Sequence, residues 1–277
     1  MILFPNAKIN LGLRVIRKRP DGYHDLETVF LPIYGLRDAL EIIPQHQQDP
    51  ANPVHMQSSG LAVPGDPNDN LCVKAWQLLK QDFPDLPGID MHLHKAIPMG
   101  AGLGGGSADG AFALQLLNTS CRLQLSTDQL MQYALQLGSD CPFFIHNKPC
   151  LAYGRGEILQ PLSLDLSDYQ IVLINPGIHV ATGWAFGQLT PQQPITPLQE
   201  IIALPVEQWR DQLINDFEAP VMQQYPTIAR LLEDFYAAGA VFAAMTGTGS
   251  TVFGLFPKTQ IVDLKNGDGC WFGVFGL

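Results

Sequence analysis

Apolar and polar residues alternate along residues 7–15. Ile9, Leu11, Leu13 and Val15 share one parity; Lys8, Asn10, Gly12 and Arg14 share the other. A period of two predicts a strand with one buried face, so Lys8 and Asn10 point to the same side. Pro20-Asp21-Gly22 predicts a turn, and the apolar run Leu26 to Ile33 a second strand; a third is expected over 39–43. Residues 44–70, rich in Pro, Gln, Asn and Asp, read as loop with room for one short strand. A helix is expected over about 70–79, and the alternation of Ile89, Met91 and Leu93 predicts a strand leading to Pro98. After a glycine-dense run at 100–106, Ala111, Leu114 and Leu117 continue at helical spacing. Ser126-Thr-Asp-Gln129 matches a capping box and opens a helix that ends near Gly138; Ser139-Asp140-Cys141-Pro142 opens the next segment. Residues 157–170 read as a boundary, and 170–174 as an apolar strand ending in Asn175-Pro-Gly177. A Pro- and Gln-rich loop at 190–197 precedes two expected helices, about 206–213 and 226–237. Val241 to Met245 and Thr251 to Phe256 read as strands joined by the tight turn Thr246-Gly-Thr-Gly-Ser250. Meandering strands with paired helices predict an α+β fold in two lobes, residues 1–160 and 161–277.

Composition narrows the function classes. Of 277 residues, 46% are apolar and 15% charged, enough for a sizeable core and against disorder. A formal net charge of −10 argues against a general nucleic-acid binder. It leaves room for an anionic small molecule, met by a few local cations and backbone N–H groups. Cys72, Cys121, Cys141, Cys150 and Cys270 are scattered and form no C-x-x-C pair. That fits a reducing compartment and argues against a disulfide framework or a structural zinc site. The first residues show no signal-peptide pattern, and no apolar run suits a membrane span. The expectation is a soluble cytoplasmic protein without a membrane partner.

The informative segment is Pro98-Met-Gly-Ala-Gly-Leu-Gly-Gly-Gly-Ser-Ala-Asp109. Glycine lacks Cβ and tolerates positive φ, so backbone N–H groups can converge on a ligand. A strand leads in and a helix leads out, which makes a flexible linker the weaker reading and a phosphate cradle at the helix N-terminus the better one. Gly100-x-Gly102-x-x-Gly105 formally matches a dinucleotide fingerprint, but the acid expected near position 128 falls inside a helix cap. No Gly-Lys-Ser/Thr closes the run, so it is not a Walker A loop.

Pro98 to Ala108 resembles the second motif of the GHMP kinases. Pro5-Asn-Ala-Lys-Ile-Asn10 is similar to their first motif and Met245-Thr-Gly-Thr-Gly-Ser250 to their third, in the same order. Ala7 to Leu11, Arg19 to His24, Leu137 to Phe144, Gly154 to Glu157 and Asn215 to Glu218 resemble one branch of these enzymes. That branch phosphorylates the 2-hydroxyl of a cytidine diphosphate derivative of methylerythritol, in the non-mevalonate route to isoprenoids. The similarity runs from residue 4 to about 256. It implies ATP and Mg2+, a small-molecule acceptor, and a monomer or weak homodimer. It also implies an N-terminal lobe like ribosomal protein S5 domain 2 and a ferredoxin-like C-terminal lobe. After Phe256 the family usually carries a full helix and a last strand; here Lys258 to Lys265 is short and Asn266-Gly-Asp-Gly follows.

The resemblance assigns roles that residue chemistry alone leaves open. Asp140 reads either as a helix N-cap or as a carboxylate positioned for a hydroxyl proton; the family makes it the general base. Lys8 would lie near it, keeping it ionised and stabilising charge on the transferring phosphoryl group, with Asn10 alongside. Pro98, Gly100, Gly102, Leu103, Gly104, Gly105, Gly106 and Ser107 would surround the ATP phosphates, with Ser107 also reaching magnesium. Asn70 and Lys95 would lie toward the adenine. Tyr23 and His24, otherwise ordinary packing after a turn, match the substrate site. Thr182 and Phe186, otherwise core, match its opposite wall, where the aromatic clamps cytosine. Thr246, Gly247, Thr248, Gly249 and Ser250 form the C-terminal glycine loop. His92 and His94 have metal-like spacing but no third ligand, and read as a solvated face. The alternatives are a homoserine or mevalonate kinase, whose families lack the Arg19 to His24 block, and a non-catalytic sensor, which should have lost Asp140 or the glycine run.

Overall fold

The computed structural model describes residues 1–45, 53–264 and 269–277. Part of the polar 44–70 stretch and most of Asn266-Gly-Asp-Gly lie outside the described residues. The chain forms two compact units, each assembled from separate stretches. One comprises Met1–Ala7, Leu36–Met99 and Gly104–Asn147; the other comprises Lys8–Gly35, Gly100–Leu103 and Lys148–Leu277. Neither unit is one continuous stretch of chain. The cause is the N-terminal strand pair, Asn6–Lys18 and His24–Arg37, which shares a sheet with Cys150–Tyr153 and Ile158–Pro161. Hydrogen bonding commits residues from the start of the chain to segments that follow residue 147.

In the first unit, Ile2–Leu3, Ala39–Pro44, Ile89–Lys95 and Val54–Gly60 form a sheet in that order, with only the last pair parallel. Ile89, Met91 and Leu93 are buried, while Asp90, His92 and His94 face outward, as the alternation predicts. Helix Gly105–Ser120 packs on Ala39–Pro44 and on helix Leu71–Asp82. Asn70 caps the latter, its Oδ1 accepting the Cys72 N–H at 2.9 Å. The capping box at Ser126 and Gln129 forms as expected and starts helix Thr127–Leu137.

Lys95 continues the buried parity of its strand and carries a charge inward. Its ammonium donates to Asp38 and, at 2.7 Å, to Asp109. Asp38 Oδ1 also accepts the backbone N–H groups of Ala96 and Ile97, at 2.6 and 2.9 Å. Burial alone would lower the Lys95 ammonium, but Asp109 and Asp38 hold it above its ordinary value. Burial pushes the Asp109 carboxyl up to about 7, opposed by Lys95 and assisted by Asp38. Its Oδ1 is buried without a hydrogen-bond partner among the described residues. A buried cation is tolerated here because two carboxylates share it.

In the second unit, strand Asn6–Lys18 is buried on both faces through Leu13, rather than on one. The polar parity is covered because Asn10 and the Lys8 backbone bond to glycine-rich turns, described below. Tyr169–Asn175, Phe242–Met245, Val252–Pro257 and Trp271–Gly276 form an antiparallel sheet. Numbered along the chain, their spatial order is 2-3-1-4, that of a ferredoxin-like sheet. Helix Pro226–Ala237 packs against its second and third strands, with Ile228, Leu231 and Phe235 in the core. The last strand survives the shortened tail, whereas among the described residues no helix lies between Pro257 and Trp271. The helix expected over 206–213 is only a 3₁₀ turn, Val206–Gln208. The chain is drawn out soon afterwards: the Leu13 N–H donates to Ile214 O and Asp216 N–H to Leu13 O, at 3.0 and 2.8 Å. Helix Glu218–Gln224 forms instead.

Replacing Lys95 with Met leaves two carboxylates facing each other in a buried site. Urea unfolding should show Lys95→Met losing about 3–5 kcal/mol. A loss below about 1 kcal/mol would mean the triad contributes little to the fold.

Candidate active site

The second unit brings Lys8 and Asn10 of the first motif against the third, glycine-bearing motif. Asn10 lies mid-strand and buried; its N–H donates to Thr246 Oγ1 at 2.9 Å and its side chain to Thr28 Oγ1 at 3.0 Å. Lys8 Nζ donates to Asn10 Oδ1 at 2.6 Å and lies 5.0 Å from the centre of the Phe30 ring. The Lys8 backbone N–H donates to Leu103 O at 2.9 Å. Thr246 Oγ1 donates to Gly102 O at 3.2 Å. The approach is tight: with φ +77, a Cβ at Gly102 would meet Thr246 O at 2.1 Å. Only glycine fits there. Ser250 anchors the loop, donating to Ile178 O at 2.6 Å and accepting from Asn175 at 3.2 Å. Gly249 closes the turn on Thr246 O, and Thr248 is the loop's half-buried member.

In the first unit, Gly104 takes a left-handed conformation (φ 70, ψ 13) and starts helix Gly105–Ser120 with no side-chain cap. The helix therefore begins with backbone N–H groups that no capping side chain occupies. A Cβ at Gly106 would meet nothing within 4 Å, so that position is bare by absence of a side chain alone. Gly106, Asn70, Lys95, Met99 and Asp109 line a cavity of about 310 Å³, together with residues of the 56–69 stretch. The Lys95 ammonium does not face a ligand there: its side chain is fully buried and bound to two carboxylates. Lys95 thus lines the cavity expected on the adenine side with its charge already shared between Asp38 and Asp109. Asn70 lines the cavity while also capping its helix. The Asp66, Pro67 and Asp69 lining was missed in a stretch read as loop, and Asp38 and Asp109 were missed because nothing local marks an acid as the partner of a distant lysine.

Asp140 is half-buried at the start of helix Cys141–His146, with αR backbone and no side-chain cap bond. The capping alternative is thereby not realised. Burial pushes the neighbouring Cys141 thiol up to about 12; Asp140 adds to this and a hydrogen bond with Ser107 opposes it.

His24 and Phe186 do meet. Their rings stack at 4.8 Å between centroids with planes 21° apart, and Phe217 meets Phe186 edge-on at 4.9 Å. Phe186 is thus one half of an aromatic pair with His24. Burial, with Lys18 assisting, lowers the His24 imidazole. Thr182 is exposed at the first position of helix Thr182–Gly187. Tyr23 is exposed, with the Arg155 guanidinium 4.0 Å from its ring centre. His92 and His94 both bond Ser59 Oγ, at 3.1 and 3.0 Å. No metal-holding group of three or more His, Cys, Asp or Glu occurs among the described residues.

Comparison with known proteins identifies the family. The models of the GHMP kinases N terminal domain and GHMP kinases C terminal match residues 70–148 and 201–266. The 4-diphosphocytidyl-2-C-methyl-D-erythritol kinase of Bacteroides fragilis is 51% identical over 265 residues, 95% of each chain. The chain belongs to that kinase family. The enzyme of the same name from Cytophaga hutchinsonii is 47% identical over 98% of each chain. A solved 4-(cytidine 5'-diphospho)-2C-methyl-D-erythritol kinase superposes with TM-score 0.79 at 29% identity, covering 100% of this chain and 99% of the other. A Methanococcus jannaschii mevalonate kinase shares only the fold, with TM-score 0.68 at 10% identity.

In this member of the kinase family, two blocks distant in sequence prove to be neighbours. Arg19 to His24 meets Gly154 to Glu157 through the Arg155–Tyr23 contact and the Leu26 N–H to Gly154 O bond of 2.7 Å.

Gly102 and Gly106 should separate folding from ligand binding. Gly102→Ala should lower stability by more than about 1 kcal/mol, from left-handed strain and the Thr246 clash. Gly106→Leu should leave the melting temperature near wild type. In calorimetry with a non-hydrolysable ATP analogue, it should weaken binding by at least about tenfold, roughly 1.4 kcal/mol. Wild-type affinity in a folded Gly106→Leu would remove the helix start from the nucleotide site.

Proposed function

We propose that this chain transfers the γ-phosphoryl group of ATP to the 2-hydroxyl of 4-diphosphocytidyl-2-C-methyl-D-erythritol. The observation that carries the reading is the uncapped, glycine-built start of helix Gly105–Ser120. Such a terminus offers N–H donors and a positive dipole end to phosphate oxygens. Pro98 and the run Gly100, Gly102, Leu103, Gly104, Gly105, Gly106 and Ser107 wrap the phosphates. The cavity beside Asn70 takes the adenine.

For the chemical step, the acceptor oxygen attacks the γ-phosphorus as its bond to the bridging oxygen breaks, and ADP leaves. Asp140 accepts the hydroxyl proton. Lys8, held by Asn10, contributes positive charge to the transferring group. Mg2+ held chiefly by ATP oxygens needs few protein ligands. The Ser107 hydroxyl in the first helical turn suits that arrangement, and no dedicated metal cage occurs among the described residues. When bound, the ion neutralises phosphate charge. On the acceptor side, the His24–Phe186 pair gives cytosine a stacking platform, with Tyr23 and Thr182 at its margin. Thr246, Gly247, Thr248, Gly249 and Ser250 shape the turn beside Asn10. Among the described residues no helix is long and apolar enough to cross a membrane. We place the enzyme in the cytoplasm, as a monomer or weak homodimer.

A coupled ATPase assay with the cytidine substrate, homoserine and mevalonate tests the assignment. Turnover should require the cytidine compound; preference for either of the others would overturn it. Phe186→Ala should raise KM for that substrate about tenfold or more, since base stacking contributes roughly 1–3 kcal/mol, with KM for ATP nearly unchanged. Equal effects on both would indicate a folding defect.

Single-turnover transfer tests the two catalytic roles. Asp140→Asn should slow it by about 10²–10⁴, and Lys8→Met should slow it as well. If the two act as one unit, the double variant should be barely slower than the slower single one. Near wild-type rates in Asp140→Asn would remove it as the base.

A further inference from the structure

The block Asn215-Asp-Phe-Glu218 helped to carry the family resemblance, yet no role in the site was assigned to it. Asn215 is buried, and both donors of its amide are used: Nδ2 donates to Met245 O at 2.8 Å and to Gly247 O at 2.9 Å. Its Oδ1 accepts the Phe217 N–H at 3.0 Å, which fixes the amide's orientation. Glu218 Oε1 accepts the Met245 N–H at 2.7 Å. One short segment thus holds the N–H and C=O of Met245 and the C=O of Gly247, the residues on either side of Thr246. The same segment is tied to the first strand. Residues 214 and 216 bond the Leu13 backbone, and Asp216 Oδ2 accepts the Val15 N–H at 2.7 Å.

Thr246 is where these ties converge. Its hydroxyl accepts the Asn10 N–H and donates to Gly102 O, at 2.9 and 3.2 Å. A Cβ at Gly247 would sit 3.1 Å from Gly102 Cα, so the turn has no slack toward the phosphate run. We infer that Asn215 and Glu218 are positioning residues for phosphoryl transfer: they clamp the backbone around Thr246 and thereby set Gly102 and the Asn10–Lys8 pair relative to one another. The inference rests on the kinase reading above and adds the element that holds its glycine turns in register.

The side-chain chemistry supports a clamp beyond mere filling of space. Asn presents two N–H donors to two carbonyls, which neither Asp nor an apolar residue can do. Burial pushes the Glu218 carboxyl up to about 7, against the Met245 N–H bond. An uncharged acceptor of the same shape should therefore serve nearly as well, and Glu218→Gln retains the oxygen that meets Met245. Small displacements suffice to matter, because a misplacement of about 1 Å can slow a reaction about 10²-fold.

The test compares wild type with Asn215→Asp, Glu218→Ala, Glu218→Gln, Thr246→Val and the double variant Asn215→Asp/Thr246→Val. For each, kcat with the cytidine substrate, affinity for a non-hydrolysable ATP analogue and melting temperature are measured. In folded protein, Asn215→Asp and Glu218→Ala should lower kcat by about tenfold or more and weaken the analogue severalfold, while Glu218→Gln stays within about twofold. Because Asn215 acts through Thr246, the double variant should be scarcely worse than Thr246→Val in both readouts. A residue that merely stabilises the fold would give additive losses. Unchanged kcat and analogue affinity in folded Asn215→Asp and Glu218→Ala, or additive losses, overturns the inference. If Asn215→Asp does not fold, Glu218→Ala paired with Thr246→Val gives the same cycle. If wild type fails to turn over the cytidine substrate, the substrate assignment fails, and the analogue-affinity cycle still decides the clamp.

Discussion

The second unit depends on how closely two turns approach each other. Gly102 lies so near the Thr246 carbonyl that no side chain can be added without moving one backbone or the other. That contact sets conditions outward. Thr246 must present its hydroxyl to Asn10 and Gly102, so Met245 and Gly247 must be held still. Asn10 must be buried to receive it, and so must Lys8 one alternation away. A strand that would ordinarily keep one polar face in water is therefore covered on both sides, and each covered polar group has a defined partner. The residues assigned to chemistry are thus also those that fix the fold locally.

The first unit meets a comparable demand with charge. Its helix start is a bare backbone with no capping side chain. Asp109, in the second turn of the same helix, anchors Lys95, and Lys95 anchors Asp38. Asp38 in turn takes the N–H groups of Ala96 and Ile97, on the approach to the glycine run. Rigidity that a surface cap would normally provide comes from a buried ion triad behind the helix. The desolvation this entails shows in the raised carboxyl of Asp109.

Much of this was legible in the sequence, for identifiable reasons. Strands with clean alternation, such as Ile89–Lys95, and the capping box at Ser126 are local signals and appear where expected. The ferredoxin-like lobe follows from the resemblance, and the strand order agrees. Lys8, Asn10 and the third motif could be named together, but their contact could not, because Asn10 and Thr246 are 236 residues apart. The Asp38 and Asp109 partners of Lys95 could not be named either, because no local pattern marks an acid as the partner of a lysine 57 or 14 residues away. Asp140 could have been a cap on residue type alone; it stands at that position but makes no side-chain cap bond, which the sequence could not show. The helix over 206–213 failed because nothing local announces the pairing with Leu13 that draws the chain out at residues 214–216.

The interleaving of the two units has a consequence for biosynthesis. The strand Asn6–Lys18 leaves the ribosome well before the turn that covers its polar groups, which is made 236 residues after Asn10. At about 5–20 residues per second, that is a wait on the order of ten to fifty seconds. Throughout it, an apolar strand and its hairpin partner lack the last elements of their unit. The stretch Leu36–Met99, by contrast, contains most of its own sheet. The nascent chain thus carries this strand pair incomplete for that time, and slower synthesis of the later part would lengthen the exposure without touching the finished enzyme.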